Sequence, residues 1–310
     1  MIVTVTANPS VDRTVEVPTL VRGGLHRASQ VRVQPGGKGI NVARALVRNG
    51  HKARAVVPAG GHEGAQLIGL LTDYSIDVVH VPVADPVRSN ISVVEPDATV
   101  TKLNEAGARL SPAEVRALRD AVLDSVAGAS WVVAAGSLPP GVAADFYAGL
   151  VRMLGVEVAV DTSGPALRAA VAAGPALVKP NHEELEEAVD RPLRTLGEVV
   201  AAARELRAAG AGAVLASLGR DGALLVDGDG AWHAEAEAEA ASSVGAGDAM
   251  LAGFLAAGGH GPDALRAAVA WGAAAVSLPG STMPTPEDVA AHPARLHASV
   301  NADRGITRGS

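Results

Sequence analysis

Residues 243–254, SVGAGDAMLAGF, combine two glycines and an acid with the start of an apolar segment. Gly245 and Gly247 allow successive backbone N–H groups to point at one anionic oxygen, and a helix beginning there adds the positive end of its dipole. Asp248, in the first turn, could accept a proton from an attacking hydroxyl while the amides stabilise the transferred group. These residues predict phosphoryl transfer to an alcohol. The alternative is a glycine-rich turn whose acid only caps a helix.

A second glycine cluster, PGGKGIN at residues 35–41, leads into an amphipathic segment. Lys38 and Asn41 could bind hydroxyls or a phosphate at the start of a helix. Neither cluster is a common nucleotide-binding motif. Gly39 follows Lys38 where a Walker A motif has Ser or Thr, and Met250 takes the place of the last glycine in G-x-G-x-x-G. An ordinary junction between a loop and a helix is the alternative for residues 35–41.

Other polar residues could contact a ligand near the ends of strands. Asn8 and Asp12 follow the first predicted strand, and ligands of open α/β sheets collect at the carboxyl ends of strands. Arg88, with Asn90 close in sequence, suits bidentate capture of a phosphate. A single arginine in a loop is, however, most often a solvated surface residue.

The segment KPNHEEL, residues 179–185, joins the end of a predicted strand to the start of a helix. Lys179 could meet nucleotide phosphates, and Asn181 with Glu184 could position hydrated Mg²⁺, which keeps several waters and takes few protein ligands. The alternative is that Asn181 is a simple N-cap followed by acids that favour the helix dipole. His182, like the other eight histidines, has no partner at metal-ligand spacing.

Short β-rich segments alternate with helical patterns along the chain, which predicts a parallel sheet with helices on both faces. Capping boxes at Ser111 and Thr195 predict helices near 112–127 and 196–209. Residues 11–34 and 77–104 are β-branched and lack helical periodicity, so we expect them to form a small sheet that projects as a lid. The strand candidates are residues 2–7, 54–58, 131–136, 156–161, 176–180 and 213–219.

The composition is that of a globular protein whose 310 residues form one domain with the lid segments attached. The net charge is −7, from 26 basic and 33 acidic residues without a basic tract, which argues against nucleic-acid binding. The absence of cysteine excludes disulfides and thiolate metal sites. With no apolar run of about 18 residues and no signal-like N-terminus, we expect no membrane association and a cytoplasmic location.

Eight segments occur in an order that resembles the PfkB family of carbohydrate kinases, over essentially residues 1–290. They are TANPSVD, PGGKGIN, TKLNEAG (101–107), GSLPPG (136–141), DTSG (161–164), KPNHEEL, SLGRDGALL (217–225) and SVGAGD. The resemblance is strongest to the phosphosugar branch of the family, which includes 1-phosphofructokinases and tagatose-6-phosphate kinases. It implies a ribokinase-like fold: a three-layer α/β/α core with a mostly parallel central sheet and a small β-sheet lid.

The resemblance also implies roles for individual residues. Asp248 matches the general base, with Gly245, Ala246 and Gly247 as the anion hole. Arg27 falls where related enzymes send a basic residue across a homodimer clasp formed by the lid sheets. The positions that match contacts to the sugar and its phosphate are Asp12, Gly37, Lys38, Asn41, Arg88, Asn90 and Ser137. Those that match the ATP and Mg²⁺ side are Lys179, Asn181, Glu184, Ser217, Gly219 and Gly222, with Asn181 and Glu184 reaching the metal through water.

Two segments depart from the family pattern. TANP stands where Leu or Pro is commoner before the asparagine, which leaves the identity of the sugar open, and NEAG replaces the usual NEPG in a loop.

We expect an ATP- and Mg²⁺-dependent kinase that phosphorylates fructose 1-phosphate at O6, with tagatose 6-phosphate or fructose 6-phosphate, phosphorylated at O1, as alternative substrates. A non-catalytic sugar-phosphate sensor is the alternative from another class, but a sensor has no need for a base at Asp248. The missing dinucleotide fingerprint argues against a nicotinamide dehydrogenase.

Overall fold

The structure is a computed structural model and describes residues 1–97 and 99–307. In these residues the chain forms two β-sheets, ten α-helices and one short 3₁₀ helix, Gly219–Asp221. The strands of the large sheet are β1 (Ile2–Thr6), β4 (Ala53–Ala59), β5 (Asp77–Pro82), β8 (Trp131–Ala135), β9 (Glu157–Asp161), β10 (Leu177–Val178), β11 (Ala213–Ser217), β12 (Ala223–Val226), β13 (Ala231–Glu235) and β14 (Arg295–Leu296). Those of the small sheet are β2 (Ser10–Glu16), β3 (Gln30–Gly36), β6 (Arg88–Val94) and β7 (Val100–Asn104).

The large sheet has the strand order β14-β13-β12-β11-β10-β9-β8-β1-β4-β5. Its strands from β11 to β5 pair in parallel, and β12, β13 and β14 extend it with antiparallel pairings. All six strand candidates form strands of this sheet within two residues of the expected ends. The alternation of short apolar segments with helical ones therefore predicted the central sheet correctly.

The helices pack on both faces of the large sheet. They are α1 (Lys38–Arg48), α2 (Gly61–Asp73), α3 (Pro112–Ser125), α4 (Phe146–Met153), α5 (Gly164–Val171), α6 (His182–Val189), α7 (Leu196–Ala208), α8 (Ala246–Ala256), α9 (Gly261–Val276) and α10 (Pro286–Ala290). Both predicted capping boxes are formed, at the starts of α3 and α7.

Two hydrophobic cores lie on opposite faces of the sheet because neighbouring strand residues point to opposite sides. Val133 packs with α1, α2, α8 and α9, whereas Val132 packs with α3 to α7. The result is the expected three-layer α/β/α arrangement. No helix in the described part of the chain is long and apolar enough to cross a membrane.

The small sheet has the order β3-β2-β6-β7, in which β2 and β6 pair in parallel and the outer pairs are antiparallel. The expected start of the second lid segment, at residue 77, was wrong because Asp77–Pro82 is the edge strand β5 of the large sheet and pairs with β4. An edge strand and a lid hairpin show the same alternation of side chains, so the pattern could not distinguish them.

Candidate active site

A cleft of about 360 Å³ lies between the small sheet and the carboxyl ends of the parallel strands. Loops after β1, β8 and β9 and the start of α1 form one wall, as expected for ligand sites in open α/β sheets. The small sheet forms the other wall. The cleft is lined by Asn8, Ser10, Asp12, Gly37, Lys38, Asn41, Arg88, Asn90, Asn104, Gly136, Ser137, Ser163 and Glu184. All seven residues predicted to contact the sugar and its phosphate are among them, whereas Arg27 lies in an exposed loop between β2 and β3.

Asp12 is positioned by neighbouring residues of the small sheet. The strand register places it beside Asn90, whose Nδ2 donates a hydrogen bond to Asp12 Oδ1 at 3.0 Å. The hydroxyl of Ser10 donates to the same oxygen at 2.6 Å. A Cβ at Gly36 would lie 2.2 Å from Asp12 Oδ2, so the carboxylate occupies space that any other residue would fill. Asp12 is therefore held in one orientation at the cleft.

Arg88 is fixed by the chain around the cleft. Its Nη2 donates to the carbonyl of Asn8 at 3.0 Å, and its Nη1 donates to the carbonyl of Glu105 at 3.2 Å. Its Nε is buried without a hydrogen-bond partner among the described residues. Burial lowers the pKa of Arg88, against the opposing charges of Asp12 and Glu105. A rigid guanidinium thus presents one unsatisfied donor beside the cleft.

Lys38, the first residue of α1, carries a positive charge into the cleft. Its Nζ lies 2.7 Å from Asp161 Oδ1 and 3.3 Å from Glu184 Oε1. Burial would lower the pKa of Lys38, but the charges of Asp161 and Glu184 outweigh it and raise that pKa above its ordinary value. Lys38 is therefore a permanent cation.

Asp161, at the end of β9, is fully buried, and its Oδ2 also forms an ion pair with the ammonium of Lys179 at 3.0 Å. Burial favours its neutral form, but the charges of Lys179 and Lys38 lower the pKa of Asp161 below its ordinary value. Asp161 opens the segment DTSG, for which the family resemblance implied no individual role. The signal that could have identified it is an acid at the carboxyl end of a central parallel strand, where ligands collect.

Asp248 lies in the first turn of α8, which begins after Gly245 in the left-handed conformation (φ 81°). Asp248 is buried and accepts a hydrogen bond from Nδ2 of Asn41 at 2.9 Å. Burial, reinforced by the charge of Asp161, raises the pKa of Asp248 to about 6, although Lys38, Asn41 and Lys179 oppose this. Asn41 thus connects Asp248 to the cleft, and the carboxyl titrates near neutral pH, as a general base requires.

The start of α8 also lies next to Lys179. A Cβ at Gly247 would approach Lys179 Nζ to 3.3 Å and is otherwise unobstructed. Glycine at this position leaves open the space between a helix N-terminus and an ammonium group. A helix dipole and a nearby cation both favour an anion there.

The residues predicted to bind ATP and Mg²⁺ lie at or just after the ends of strands β10 and β11. Asn181 and Glu184 form a capping box at the start of α6, with Asn181 Oδ1 accepting from the Glu184 amide at 2.7 Å. Asn181 is therefore the N-cap of α6, as the alternative interpretation of this segment expected. Glu184 also lines the cleft. Ser217 pairs with Asn181 as an isolated parallel bridge.

Gly219 opens the turn that follows β11, with a φ of 59° and no atom within 4 Å of a Cβ placed there. Gly222 closes the turn, where a Cβ would lie 2.0 Å from the carbonyl oxygen of Ala234. Gly222 is therefore required by the turn itself, and Gly219 borders open space on the predicted nucleotide side.

A separate polar cluster, His233, Glu235 and His297, brings its potential ligand atoms within 4.8 Å of one another. The spacing along the sequence gave no sign of it, because β13 and the segment after β14 meet only in the fold. The two imidazole rings stack with planes 10° apart, so their nitrogens do not converge on one point. Arg304 lies 2.8 Å from Glu235 Oε2, which further disfavours a cation.

The chain is similar to known proteins over most of its length. The sequence model of the pfkB family carbohydrate kinases matches residues 5–288. A 1-phosphofructokinase of Rhodobacter capsulatus is 41% identical over 302 residues, covering 94% of this chain and 95% of that protein. The ATP-dependent 6-phosphofructokinase isozyme 2 of Escherichia coli (strain K12) is 37% identical over 297 residues, covering 93% of this chain and 96% of that protein.

Solved structures agree in fold. The crystal structure of phosphofructokinase-2 from Escherichia coli in complex with potassium has a TM-score of 0.88 at 37% identity, covering 94% of this chain and 97% of that one. A ribokinase of Arabidopsis thaliana complexed with ribose and ATP has a TM-score of 0.73 at 22% identity, covering 94% of this chain and 97% of that one, and shows the shared fold. The predicted ribokinase-like architecture is confirmed.

Proposed function

This chain belongs to the pfkB family of carbohydrate kinases and is a sugar-phosphate kinase. We propose that it transfers the γ-phosphoryl group of ATP to O6 of fructose 1-phosphate, forming fructose 1,6-bisphosphate and ADP. The observation that carries the phosphoryl transfer in this proposal is Asp248, a buried carboxylate at the start of α8 that is one hydrogen bond away from Asn41 of the cleft.

Asp248 would act as the general base. As the O6 oxygen forms its bond to the γ-phosphorus, the bond from that phosphorus to the bridging oxygen of ADP breaks, and the O6 proton passes to Asp248. With a pKa of about 6, the carboxyl is mostly ionised at neutral pH and yet basic enough to take this proton. The hydrogen bond from Asn41 to Oδ2 holds the carboxylate of Asp248 in place.

The polar wall of the small sheet would bind the phosphosugar. Arg88 Nε and Asn90 Oδ1 are buried without hydrogen-bond partners among the described residues, a donor and an acceptor that a phosphate and a hydroxyl could satisfy. Asp12 is held as an acceptor for a further hydroxyl, and Ser137 lines the cleft opposite it. An Arg and a Lys on one cleft suit a dianionic substrate.

Lys179, Ala246, Gly247 and the start of α8 would hold the transferred phosphoryl group. Mg²⁺, when bound, would neutralise charge on the ATP phosphates. The residues present fit such an ion, because Glu184 lines the cleft. Its Oε1 accepts a hydrogen bond from Lys38 and its Oε2 accepts one from the backbone N–H of Asn181. Each oxygen retains a lone pair for a metal-bound water. Ser217, Gly219 and Gly222 border the place expected for the nucleotide.

The other phosphosugar substrates differ only in the end of the ketose that reacts. Fructose 6-phosphate and tagatose 6-phosphate would be phosphorylated at O1 with the same base, arginine and lysines. The relatives include 6-phosphofructokinases at 37% identity as well as the 1-phosphofructokinase at 41%, which is why fructose 6-phosphate is the second candidate. A sensor without turnover has no use for a base poised near neutral pH.

A coupled assay of ADP release tests the proposal. Purified protein with ATP and Mg²⁺ is offered fructose 1-phosphate, fructose 6-phosphate and tagatose 6-phosphate separately, with an Asp248→Asn preparation as the control for host kinases. We expect the highest kcat/KM with fructose 1-phosphate. A higher value with either 6-phosphate would reassign the substrate, and saturable binding without ADP release would identify a sensor.

The small sheet is also the proposed contact of a homodimer. It carries exposed apolar side chains on its strands and on the loop that contains Arg27, namely Leu25, Val31, Val100 and Leu103. Exposed apolar edges of this kind commonly mark an interface. In such a dimer Arg27 would reach the site of the other copy.

A further inference from the structure

Arg44 is a buried guanidinium in the middle of α1, with 4% of its surface exposed. No carboxylate forms an ion pair with it in residues 1–97 and 99–307, and its Nε has no hydrogen-bond partner there. Its planar group lies 4.8 Å from the ring centroid of Tyr74. A charge is rarely buried without an ion-pair partner, because its desolvation is costly.

Arg44 contacts the catalytic base through a single intermediate. Its Nη1 donates to Oδ1 of Asn41 at 3.1 Å and to the carbonyl of Pro35 at 3.4 Å. Asn41 in turn donates from Nδ2 to Asp248 Oδ2 at 2.9 Å. Arg44 and Asn41 are three residues apart on α1, so they share one helix face.

The order of donors and acceptors fixes the amide. A guanidinium can only donate, so the side-chain oxygen of Asn41 must face Arg44. The amide NH₂ group must then face Asp248, where it can donate only to a carboxyl oxygen that accepts. With the amide reversed, its oxygen would face Asp248 and would favour the protonated form of that carboxyl.

We propose that Arg44 is a positioning residue for phosphoryl transfer, which orients the Asn41 amide so that Asp248 is kept ionised and correctly aimed. The inference rests on the proposed function for its catalytic consequence, but the orientation of the amide and the titration of Asp248 do not depend on turnover. Sequence alone placed Arg44 on an amphipathic helix, where it gave no sign of being buried.

Other charges also act on Asp248 and must stay constant in a test. Asp161 at the end of β9 favours its protonated form, while Lys38 from α1 and Lys179 from the segment after β10 favour its ionised form. Arg44 contacts none of these three side chains through a hydrogen bond or ion pair in the described residues. The charge of Arg44 itself also acts on Asp248 through space, so the connection through Asn41 is isolated by combining Arg44 and Asn41 variants.

The first measurement is the titration of Asp248 by ¹³C NMR of aspartate-labelled protein without substrate, with the signal assigned from its loss in Asp248→Asn. In Arg44→Met we expect the titration midpoint to rise by about one pH unit, the effect of losing one hydrogen bond to a charged group. Arg48→Met is the matched control, because Arg48 lies one turn further along α1 and is exposed. Its midpoint should equal that of the parent.

The second measurement is kcat as a function of pH. In Arg44→Met the fall in activity at acid pH should begin at higher pH, with kcat reduced by about 10- to 100-fold near pH 6 and partly restored near pH 8. A purely structural role would lower kcat equally at all pH values. Arg44→Lys keeps the charge but not the fork of donors, so it should fall between the parent and Arg44→Met.

A double-mutant cycle decides whether Asn41 carries the effect. If it does, Arg44→Met should change neither the midpoint nor kcat further in an Asn41→Ala background. Additive effects in the two variants, or a parent-like midpoint in folded Arg44→Met or Arg44→Lys, would overturn the proposal. A shifted midpoint in a protein that releases no ADP would support the amide orientation and refute the proposed function instead.

Discussion

The ammonium group of Lys38 lies 2.7 Å from the carboxylate of Asp161, although 123 residues separate the two in sequence. Asp161 also holds Lys179 at 3.0 Å, so a single buried acid joins the cation of the cleft to the cation at the start of α8. In the proposed reaction these are the sugar side and the nucleotide side. Asp161 therefore fixes the relative position of the two charged groups between which the phosphoryl group would move.

Replacing Asp161 by Asn should destabilise the protein, because two ammonium groups lose the charge that compensates them. Removal of one partner from a buried ion pair costs about 3–5 kcal/mol, and we expect a loss toward the lower end since Lys38 is partly exposed. Urea unfolding measures it, with the exposed Asp263→Asn as the control, which should change stability by less than about 0.5 kcal/mol. If Asp161→Asn were as stable as the parent, the ion pairs of Asp161 with Lys38 and Lys179 would not contribute to the stability of the fold.

The sequence predicted most of the site because its contacts lie at the junctions of elements. Glycine-rich segments, capping boxes and acids at strand ends are local signals, and they selected Asp12 and Lys38, which line one cleft, and Asp248, which is one hydrogen bond from Asn41 of that cleft. Asp161 carries the same strand-end signal, but its partners Lys38 and Lys179 come from other segments, so its role did not follow from the signal. Arg44 was missed because no local pattern reports that α1 packs between β1, β4 and α8. The misplaced start of the lid has the same origin, since strand pairing is not encoded in alternation alone.

Arg88→Ala should weaken phosphosugar binding more than catalysis. A guanidinium that holds a phosphate that does not react binds the ground state and the transition state alike, so KM should rise roughly 10- to 150-fold while kcat falls less. Steady-state kinetics with the phosphosugar measures both constants. Arg32→Ala is the control: Arg32 is also a guanidinium of the small sheet, but it pairs with Glu16 outside the cleft. An unchanged KM in Arg88→Ala would remove Arg88 from the substrate site.

Gly36→Ala should impair the sugar site without adding charge or bulk elsewhere. The new Cβ would lie 2.2 Å from Asp12 Oδ2, so the carboxylate must move away from its donors Ser10 and Asn90. We expect a higher KM for the phosphosugar and an unchanged KM for ATP. Gly69→Ala, in the middle of α2 with no atom within 4 Å of the new Cβ, should leave both constants unchanged and stabilise the helix by about 1 kcal/mol. Parent-like kinetics in Gly36→Ala would mean that Asp12 does not bind the sugar.

Leu103→Lys should weaken the proposed dimer. Leu103 is 58% exposed on β7, and a charge placed there would have to be desolvated on association. Sedimentation velocity at micromolar concentration should show a dimeric parent and a variant with more monomer. Met153→Lys, on an exposed position of α4 outside the small sheet, is the control and should leave the dimer intact. A monomeric parent would refute both the lid contact and the role of Arg27.

Asp248→Asn keeps the size of the side chain and its acceptor oxygen but removes its ability to take a proton. Since general-base catalysis contributes about 10²–10⁴-fold, kcat should fall by that order while KM for ATP and for the phosphosugar stays within a few-fold. Residual turnover should remain, because backbone donors and lysines still stabilise the phosphoryl group. In the parent, kcat should decline as the pH falls through about 6, where Asp248 becomes protonated.

The same substitution should stabilise the fold at neutral pH. Burial raises the pKa of Asp248 from 3.8 to about 6, so its protonated form is the one that the folded state favours. Stability from this carboxyl is complete below its unfolded pKa and is lost as the pH rises through about 6. An asparagine does not ionise, so its contribution does not change over this pH range. The free energy of unfolding of Asp248→Asn should therefore exceed that of the parent by on the order of 2–3 kcal/mol at about pH 8 and by progressively less toward about pH 4. Thermal unfolding across this pH range measures the gain.

The two measurements on Asp248→Asn have separate meanings. A variant that loses activity but gains no stability near pH 8 would show that burial does not destabilise the ionised form of Asp248. A stabilised variant with near-parental kcat would show that Asp248 is not the base.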